Sequence, residues 1–455
     1  MWKSALIAAL IITACVLAVK LSIGNTDVWG PYYYRQAGET FQQQTTNYVD
    51  TLSYLGRTFT YPPAFFEFAA QSASLAGAGS FAQAELPIHA ATVLAFFFSV
   101  YLLFLRLKGE RQRILAFLLF ATQTFVFITS VSTTLHVFAY LMLNASVILF
   151  LERKGRLGAG LSTLALAMAF SSHPTSIFLF PLLAYVCGGF RISLGDLVRT
   201  AVICVAAVSI SLIFYVPIFL RAGLPYEIIP QTWGYLLTYG LDGMKMDFQF
   251  TIPLLAIALL CPLWRKDMRV PAAMLAVFIL INAYVSFRIN VAIAATISMM
   301  LPAIFERRLK DNLVFAALLL FPLANLLLQP VIYSGTVDYC TWGTANRMCV
   351  APMEYIRENA QPGEAVALNP FFGHLEAYYG GHPIVADLYV EYADYGKWKA
   401  ENDFYERGDT AAVERYGATL FVLDDASRER DLPGGYDRIY DNGYMHAYRR
   451  AGPLP

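Results

Sequence analysis

The chain has 455 residues, of which 57% are hydrophobic and only 15% charged, with a mean hydropathy of +0.49. Soluble domains average about 45–50% apolar and about 25% charged residues, so this balance argues against an ordinary soluble protein. The 33 Lys and Arg offset the 33 Asp and Glu, and a net charge of zero gives no electrostatic case for a nucleic-acid partner.

The long apolar runs all fall within residues 1–334, whereas 335–455 has the composition of a soluble domain. A bilayer-spanning helix needs about 20 largely apolar residues. Candidate spans in chain order are 4–23, 86–105, 114–131, 134–151, 157–171, 174–188, 198–220, 250–264, 270–287, 289–305 and 312–333. The fifth and sixth are read as two helices because Pro174 ends a helix and the whole stretch would overrun one bilayer. The expected architecture is a polytopic α-helical membrane protein of about eleven transmembrane helices, followed by a small C-terminal α/β domain.

Basic residues set the expected orientation. Arg106 to Arg113, Arg153 to Arg156, Arg191 with Arg199, Arg265 to Arg269 and Arg307 to Lys310 lie in alternate loops. The intervening loops are nearly free of Lys and Arg. The basic set is therefore expected in the cytoplasm, together with Lys3 and the N-terminus. The first apolar run is long for a signal peptide and lacks a small-residue cleavage site, so it reads as an uncleaved anchor. An odd number of spans then makes residues 24–85 and the C-terminal domain extracytoplasmic.

The long first outer loop, 24–85, opens with Asn25-Thr26-Asp27-Val28-Trp29-Gly30-Pro31-Tyr32-Tyr33-Tyr34-Arg35 and later carries Tyr61-Pro62-Pro63-Ala64-Phe65-Phe66-Glu67. Aromatic residues at this density suit helices lying at the headgroup level. Asp27 reads either as the N-cap of such a helix or as a functional carboxylate. The tyrosines read as an interfacial belt or a sugar platform, and Tyr33, Tyr61 and Glu67 are candidate acceptor- or lipid-binding residues. His136, His173, Arg288 and the polar stretch 221–249 fall on the same outer side.

In the tail, Ala365–Leu368, Pro383–Ala386 and Thr419–Leu423 read as strands and Thr410–Tyr416 as a helix. Asp441-Asn442-Gly443 marks a hairpin turn between two further strands. His374, His382, Glu376 and Asp387 lack metal-site spacing. Cys340 and Cys349 have no further Cys or His nearby to complete a zinc site, and a small disulfide loop in an oxidising compartment is expected instead. The other four cysteines sit in apolar segments and read as buried hydrophobes.

With these residues in view, the chain resembles the integral-membrane glycosyltransferases of the GT-C superfold. The resemblance is carried by Asp27 after the first helix, Tyr61-Pro62-Pro63-Ala64-Phe65 closing the first outer loop, and Ser172-His173-Pro174-Thr175 between two short middle helices. Tyr440-Asp441-Asn442-Gly443-Tyr444 with Ala447-Tyr448-Arg449 in the tail is the fourth element. It implies inverting transfer of a sugar from a polyprenyl-phosphate donor to a lipid, glycan or protein acceptor on the extracytoplasmic face of the cell membrane.

Asp27 would be the catalytic base, with Arg288 and His173 contacting the donor phosphate or sugar. Asp27 has no adjacent carboxylate, which favours a metal-independent reaction without cofactor over one using a divalent cation. A transporter or flippase for a lipid-linked precursor, or an inactive scaffold of this fold, are the alternatives; no internal repeat favours the transporter.

Overall fold

The computed structural model of the chain describes residues 2–23, 30–44, 49–50, 57–58, 63–132, 134–153, 155–191, 193–222, 252–284, 290–306, 308–337, 347–369, 372–385, 395–424, 432 and 435–452. Every predicted span contains an α-helix. α1 (Trp2–Ile23) is followed by α2 (Gly30–Gln43), the short strands β1 (Val49–Asp50) and β2 (Arg57–Thr58), and α3 (Ala64–Leu75). Then come α4 (Phe81–Leu103), α5 (Glu110–Ala121), α6 (Thr124–Ser132), α7 (Thr134–Glu152), α8 (Arg156–Phe170) and α9 (Ser176–Cys187). The helical part closes with α10 (Leu194–Ala222), α11 (Ile252–Leu260), α12 (Arg269–Tyr284), α13 (Asn290–Ile304) and α14 (Asn312–Val337).

Among the described residues four helices are long and apolar enough to cross a bilayer unbroken: Lys3–Leu21, Phe81–Arg106, Thr134–Glu152 and Leu194–Leu220. Arg156–Phe170, Ser176–Cys187, Asn290–Ile304 and Asn312–Leu328 are shorter apolar helices. The predicted span 114–131 is two helices, because the chain turns at Thr122-Gln123. There the Thr122 hydroxyl donates to the Leu118 carbonyl at 2.7 Å, the kind of local bond that competes with a straight helix.

The bundle is assembled by period. On α1, Ala5, Ala9, Ile12, Val16 and Val19 are buried at three- and four-residue steps, while Leu6, Ile7, Leu10 and Ile11 are exposed. α10 exposes Val198, Val202, Val205, Leu212 and Ile213 in the same way. Such apolar outward stripes suit lipid, where apolar surface carries no penalty. Inside, α7 and α8 are held by reciprocal bonds: Ser146 Oγ donates to the Ser162 carbonyl at 2.8 Å and Ser162 Oγ to the Ser146 carbonyl at 2.9 Å. Small hydroxyl residues let the two backbones approach.

At the end of the bundle where α7 and α9 finish, arginines satisfy the last carbonyls of helices, which have no intrahelical partner. Arg199 donates to the carbonyls of Phe150 (2.9 Å) and Arg153 (2.5 Å), Arg106 to Leu151 (2.7 Å), and Arg111 to Leu309 (3.1 Å). Part of the basic bias in these loops is thus helix capping.

The C-terminal region contains α15 (Arg347–Asn359), β3 (Ala365–Ala367), a π-helical turn (Glu376–Gly380), α16 (Tyr395–Arg407), α17 (Thr410–Glu414), β4 (Ala418–Asp424), β5 (Tyr436–Asp441) and β6 (Met445–Arg450). The sheet order is β3-β4-β6-β5, with β3 parallel to β4 and the other pairs antiparallel. Of the predicted strand at 383–386, the described residues 383–385 form a single bridge, Ile384 to Val366. The hairpin forms where expected. Gly443 takes φ +82, the Asp441 carboxylate accepts from Gly443 N at 2.7 Å, and Asn442 Oδ1 accepts from Met445 N at 2.7 Å. Cys349 is disulfide-bonded. Cys340, its predicted partner, lies outside the described residues, and Cys15, Cys187, Cys204 and Cys261 are free.

Candidate functional site

Two segments that are far apart in sequence meet at the end of the bundle opposite the arginine caps. Pro63 precedes α3, and the backbone N–H of Ala64 donates to the carbonyl of Ser171 at 3.2 Å. Ser171 ends α8, and the chain turns through Ser172, His173 and Pro174 into α9. A proline-bounded helix start and a proline-broken helix end are thereby stitched together.

α2 lies against this junction. Its Tyr33 is 3% exposed, with its ring 6.3 Å from that of Phe66 on α3 and edge-on to His136 at 6.1 Å. His136, in the first turn of α7, sits edge-on to His173 with ring centroids 4.8 Å apart. His173 Nδ1 is 2.7 Å from the Thr175 hydroxyl. Tyr33 and His173, nominated separately from sequence, therefore belong to one aromatic–imidazole cluster with His136 between them. Glu67, next to Phe66 in the first turn of α3, is half-buried at its edge. Arg35 and Glu39 pair along α2 at 3.7 Å. Asp27, Tyr61, Arg288 and the polar residues 223–250 lie outside the described residues.

Behind Tyr33 runs a second, buried set of groups that the sequence reading did not single out. Lys20 on α1 is 7% exposed and donates to the Val131 carbonyl at 3.1 Å and the Tyr34 hydroxyl at 3.4 Å. Tyr34 Oη is 3.0 Å from Thr134 Oγ1, and Thr134 Oγ1 is 2.7 Å from His89 Nδ1 on α4. Lys20 also lies within electrostatic reach of Glu85, near the start of α4. The available signal was a lone lysine inside an apolar run, since an ionisable group at membrane depth is expensive unless it is partnered.

The C-terminal region contributes to the same end. Its turn 373–380 lies against α2, and Tyr378 packs on the cluster of Tyr33, Phe65, Phe66 and Phe138. Burial, reinforced by the Glu85 carboxylate and Tyr379, pushes the Tyr378 hydroxyl upward, so it remains a neutral donor at ordinary pH. Among the described residues no group of three or more His, Cys, Asp or Glu is suited to hold a metal ion.

No protein-family model matches the chain, and no curated protein is similar to it in sequence. Solved structures are similar in fold. An archaeal oligosaccharyltransferase, AglB from Archaeoglobus fulgidus, solved with an inhibitory peptide and a dolichol-phosphate, superposes with a TM-score of 0.61 at 14% identity, covering 98% of this chain and 74% of its own. ArnT from Cupriavidus metallidurans bound to undecaprenyl phosphate superposes with a TM-score of 0.58 at 13% identity, covering 98% and 99%. The arabinofuranosyltransferase AftD from Mycobacteria gives 0.58 at 14% identity over 98% of this chain and 40% of its own. The cluster is built on the fold that these solved structures share, the GT-C superfold, and that is the fold of this chain.

Proposed function

We propose that the chain is an inverting glycosyltransferase that moves a sugar from a polyprenyl-phosphate donor to a lipid, glycan or protein acceptor on the extracytoplasmic face. The observation that carries this reading is the junction of the first-loop proline element with the His173-Pro174 turn, which gathers Tyr33, His136 and His173 at one end of a GT-C fold. The likeness to enzymes solved with dolichol-phosphate and undecaprenyl phosphate supports the choice of donor.

In this reading Asp27 takes the acceptor hydroxyl's proton as its oxygen attacks the anomeric carbon, and the polyprenyl phosphate leaves with the bonding pair. Arg288 and His173 offset the charge developing on the leaving phosphate. Tyr33, Tyr61 and Glu67 line the acceptor or lipid approach. A Cys340–Cys349 disulfide braces the start of the extracytoplasmic domain. The single nominated carboxylate favours a reaction without a divalent metal.

The test is release of polyprenyl phosphate by purified protein from a panel of polyprenyl-phosphate sugars, with a lipid extract as acceptor source. Wild type should release the carrier in a sugar-dependent manner, and Asp27→Asn should lower the rate by at least about 100-fold. Full release by Asp27→Asn would move the base elsewhere. Lipid-phosphate binding without release would favour the inactive scaffold or a flippase.

A further inference from the structure

The buried groups behind the site form one chain of contacts through four helices. Lys20 belongs to α1, Tyr34 to α2, Thr134 to α7 and His89 to α4, and all four are 7% exposed or less. The adjacent residues of two of these helices form the front of the site: Tyr33 follows α2's backbone one step from Tyr34, and His136 stands two steps from Thr134. Tyr34 and Thr134 are joined at 3.0 Å, while Tyr33 and His136 meet edge-on. The back contact therefore fixes the register of the front one.

Lys20 adds a second restraint. α6 ends at Ser132 and α7 starts at Thr134, so the Val131 carbonyl stands in the last turn of a helix, where intrahelical donors run out. The Lys20 ammonium donates to it at 3.1 Å, placing a cation at the negative end of a helix. Its ammonium also stands 5.7 Å from the centroid of the Tyr34 ring. Around these groups Phe65, Phe66, Ala69 and Phe138 form an apolar packing with Tyr33 and Tyr34. Apolar contacts are non-directional and define a helix register weakly, whereas a satisfied buried polar network admits one arrangement.

We infer that Lys20, Tyr34, Thr134 and His89 are positioning residues, a buried polar staple that holds Tyr33 against His136 and His173 in the arrangement that receives the lipid-phosphate donor. This inference rests on the transferase reading for its consequence in turnover. Its consequence in structure follows from the contacts alone.

Thr134 is the node to test, because Val matches its shape without the hydroxyl and Ser keeps the hydroxyl. The first readout is the rate at which diethylpyrocarbonate acylates His136 and His173, followed by mass spectrometry with His382 as internal reference. Both histidines are 7% exposed in the intact protein. Thr134→Val and Lys20→Met should raise their labelling several-fold over His382, and Thr134→Ser should not. The second readout is steady-state release: Thr134→Val should raise KM for the donor roughly tenfold, with Thr134→Ser near wild type.

Unchanged labelling in Thr134→Val, in protein that still folds, would overturn the inference. So would equal labelling in the Val and Ser variants. A wild type that turns over no donor would count against the transferase reading, while the labelling comparison would still decide the staple.

Discussion

At Tyr33 the ring and the hydroxyl can be tested separately. The ring fills the space between Phe66 and His136, and the side chain is almost wholly buried. Truncation leaves a cavity, and loss of a large buried aromatic costs about 3–5 kcal/mol. Tyr33→Ala should therefore lower the melting temperature in detergent by several degrees and lose activity. Tyr33→Phe should melt within a degree or two of wild type, and any fall in its turnover then belongs to the hydroxyl. A Tyr33→Phe protein as unstable as Tyr33→Ala would show that packing is not what the ring contributes. From sequence, Tyr33 was nominated as an acceptor- or lipid-binding residue among three consecutive tyrosines. Which of them faces His136 depends on the rotation of α2, and that rotation is set by contacts with α3 and α7 that no local pattern encodes.

Elements differ in how legible they were, and the reason is how local their causes are. The hairpin at Asp441-Asn442-Gly443 was readable because the turn is made by its own residues, with a glycine in the left-handed region and two side chains accepting from nearby backbone. The break at His173-Pro174 was readable for the same reason. The break at Thr122-Gln123 has no proline or glycine to announce it, and the π-helical turn Glu376–Gly380 depends on burial against α2 and α15. That turn makes a testable claim. Glu376 is fully buried, and neither carboxyl oxygen has a hydrogen-bond partner among the described residues. A Cβ on Gly380 would overlap that carboxyl group.

Burial holds the Glu376 carboxyl well above the usual glutamate range. The folded chain thus keeps this proton at pH values where the unfolded chain has lost it. The resulting stability is fully present below the ordinary glutamate value and is lost as pH rises through the raised folded value. Glu376→Met has no proton to lose. It should melt higher than wild type at pH 8, by roughly 1–3 kcal/mol, with the gap narrowing toward pH 4. Parallel melting curves across that range would mean that the carboxyl group is solvated or paired.

For the whole molecule, the polarity of the helix ends links fold to reaction. α7 begins at the site with Thr134 and His136 and ends at Glu152 near the arginine caps. α8 returns from Arg156 to Phe170, and α9 descends again from Ser176 to Cys187. The site and the basic loops are therefore at opposite ends of the same three helices. Lys and Arg near helix ends favour the cytoplasm, so the site end, together with the C-terminal region lying against α2, is proposed to face outward. Which loops hold basic residues was legible in the sequence, because it depends on no tertiary contact. The sequence could not tell which spans are short: Ser176–Cys187, within the predicted span 174–188, is shorter than a bilayer-crossing helix, and most of its residues pack on neighbours rather than meeting lipid along a full bilayer thickness.

Single cysteines decide the orientation. In a background with Cys15, Cys187, Cys204 and Cys261 replaced by Ala, the exposed Gln71, Glu406 and Arg156 are each changed to Cys, and intact cells are treated with a membrane-impermeant maleimide. Gln71→Cys and Glu406→Cys should label on intact cells, and Arg156→Cys only after permeabilisation. Labelling of Arg156→Cys from outside would invert the protein and place the site in the cytoplasm. Labelling of Gln71→Cys but not Glu406→Cys would separate the C-terminal region from the side of the membrane where Tyr33 and His173 lie, which its packing on α2 forbids.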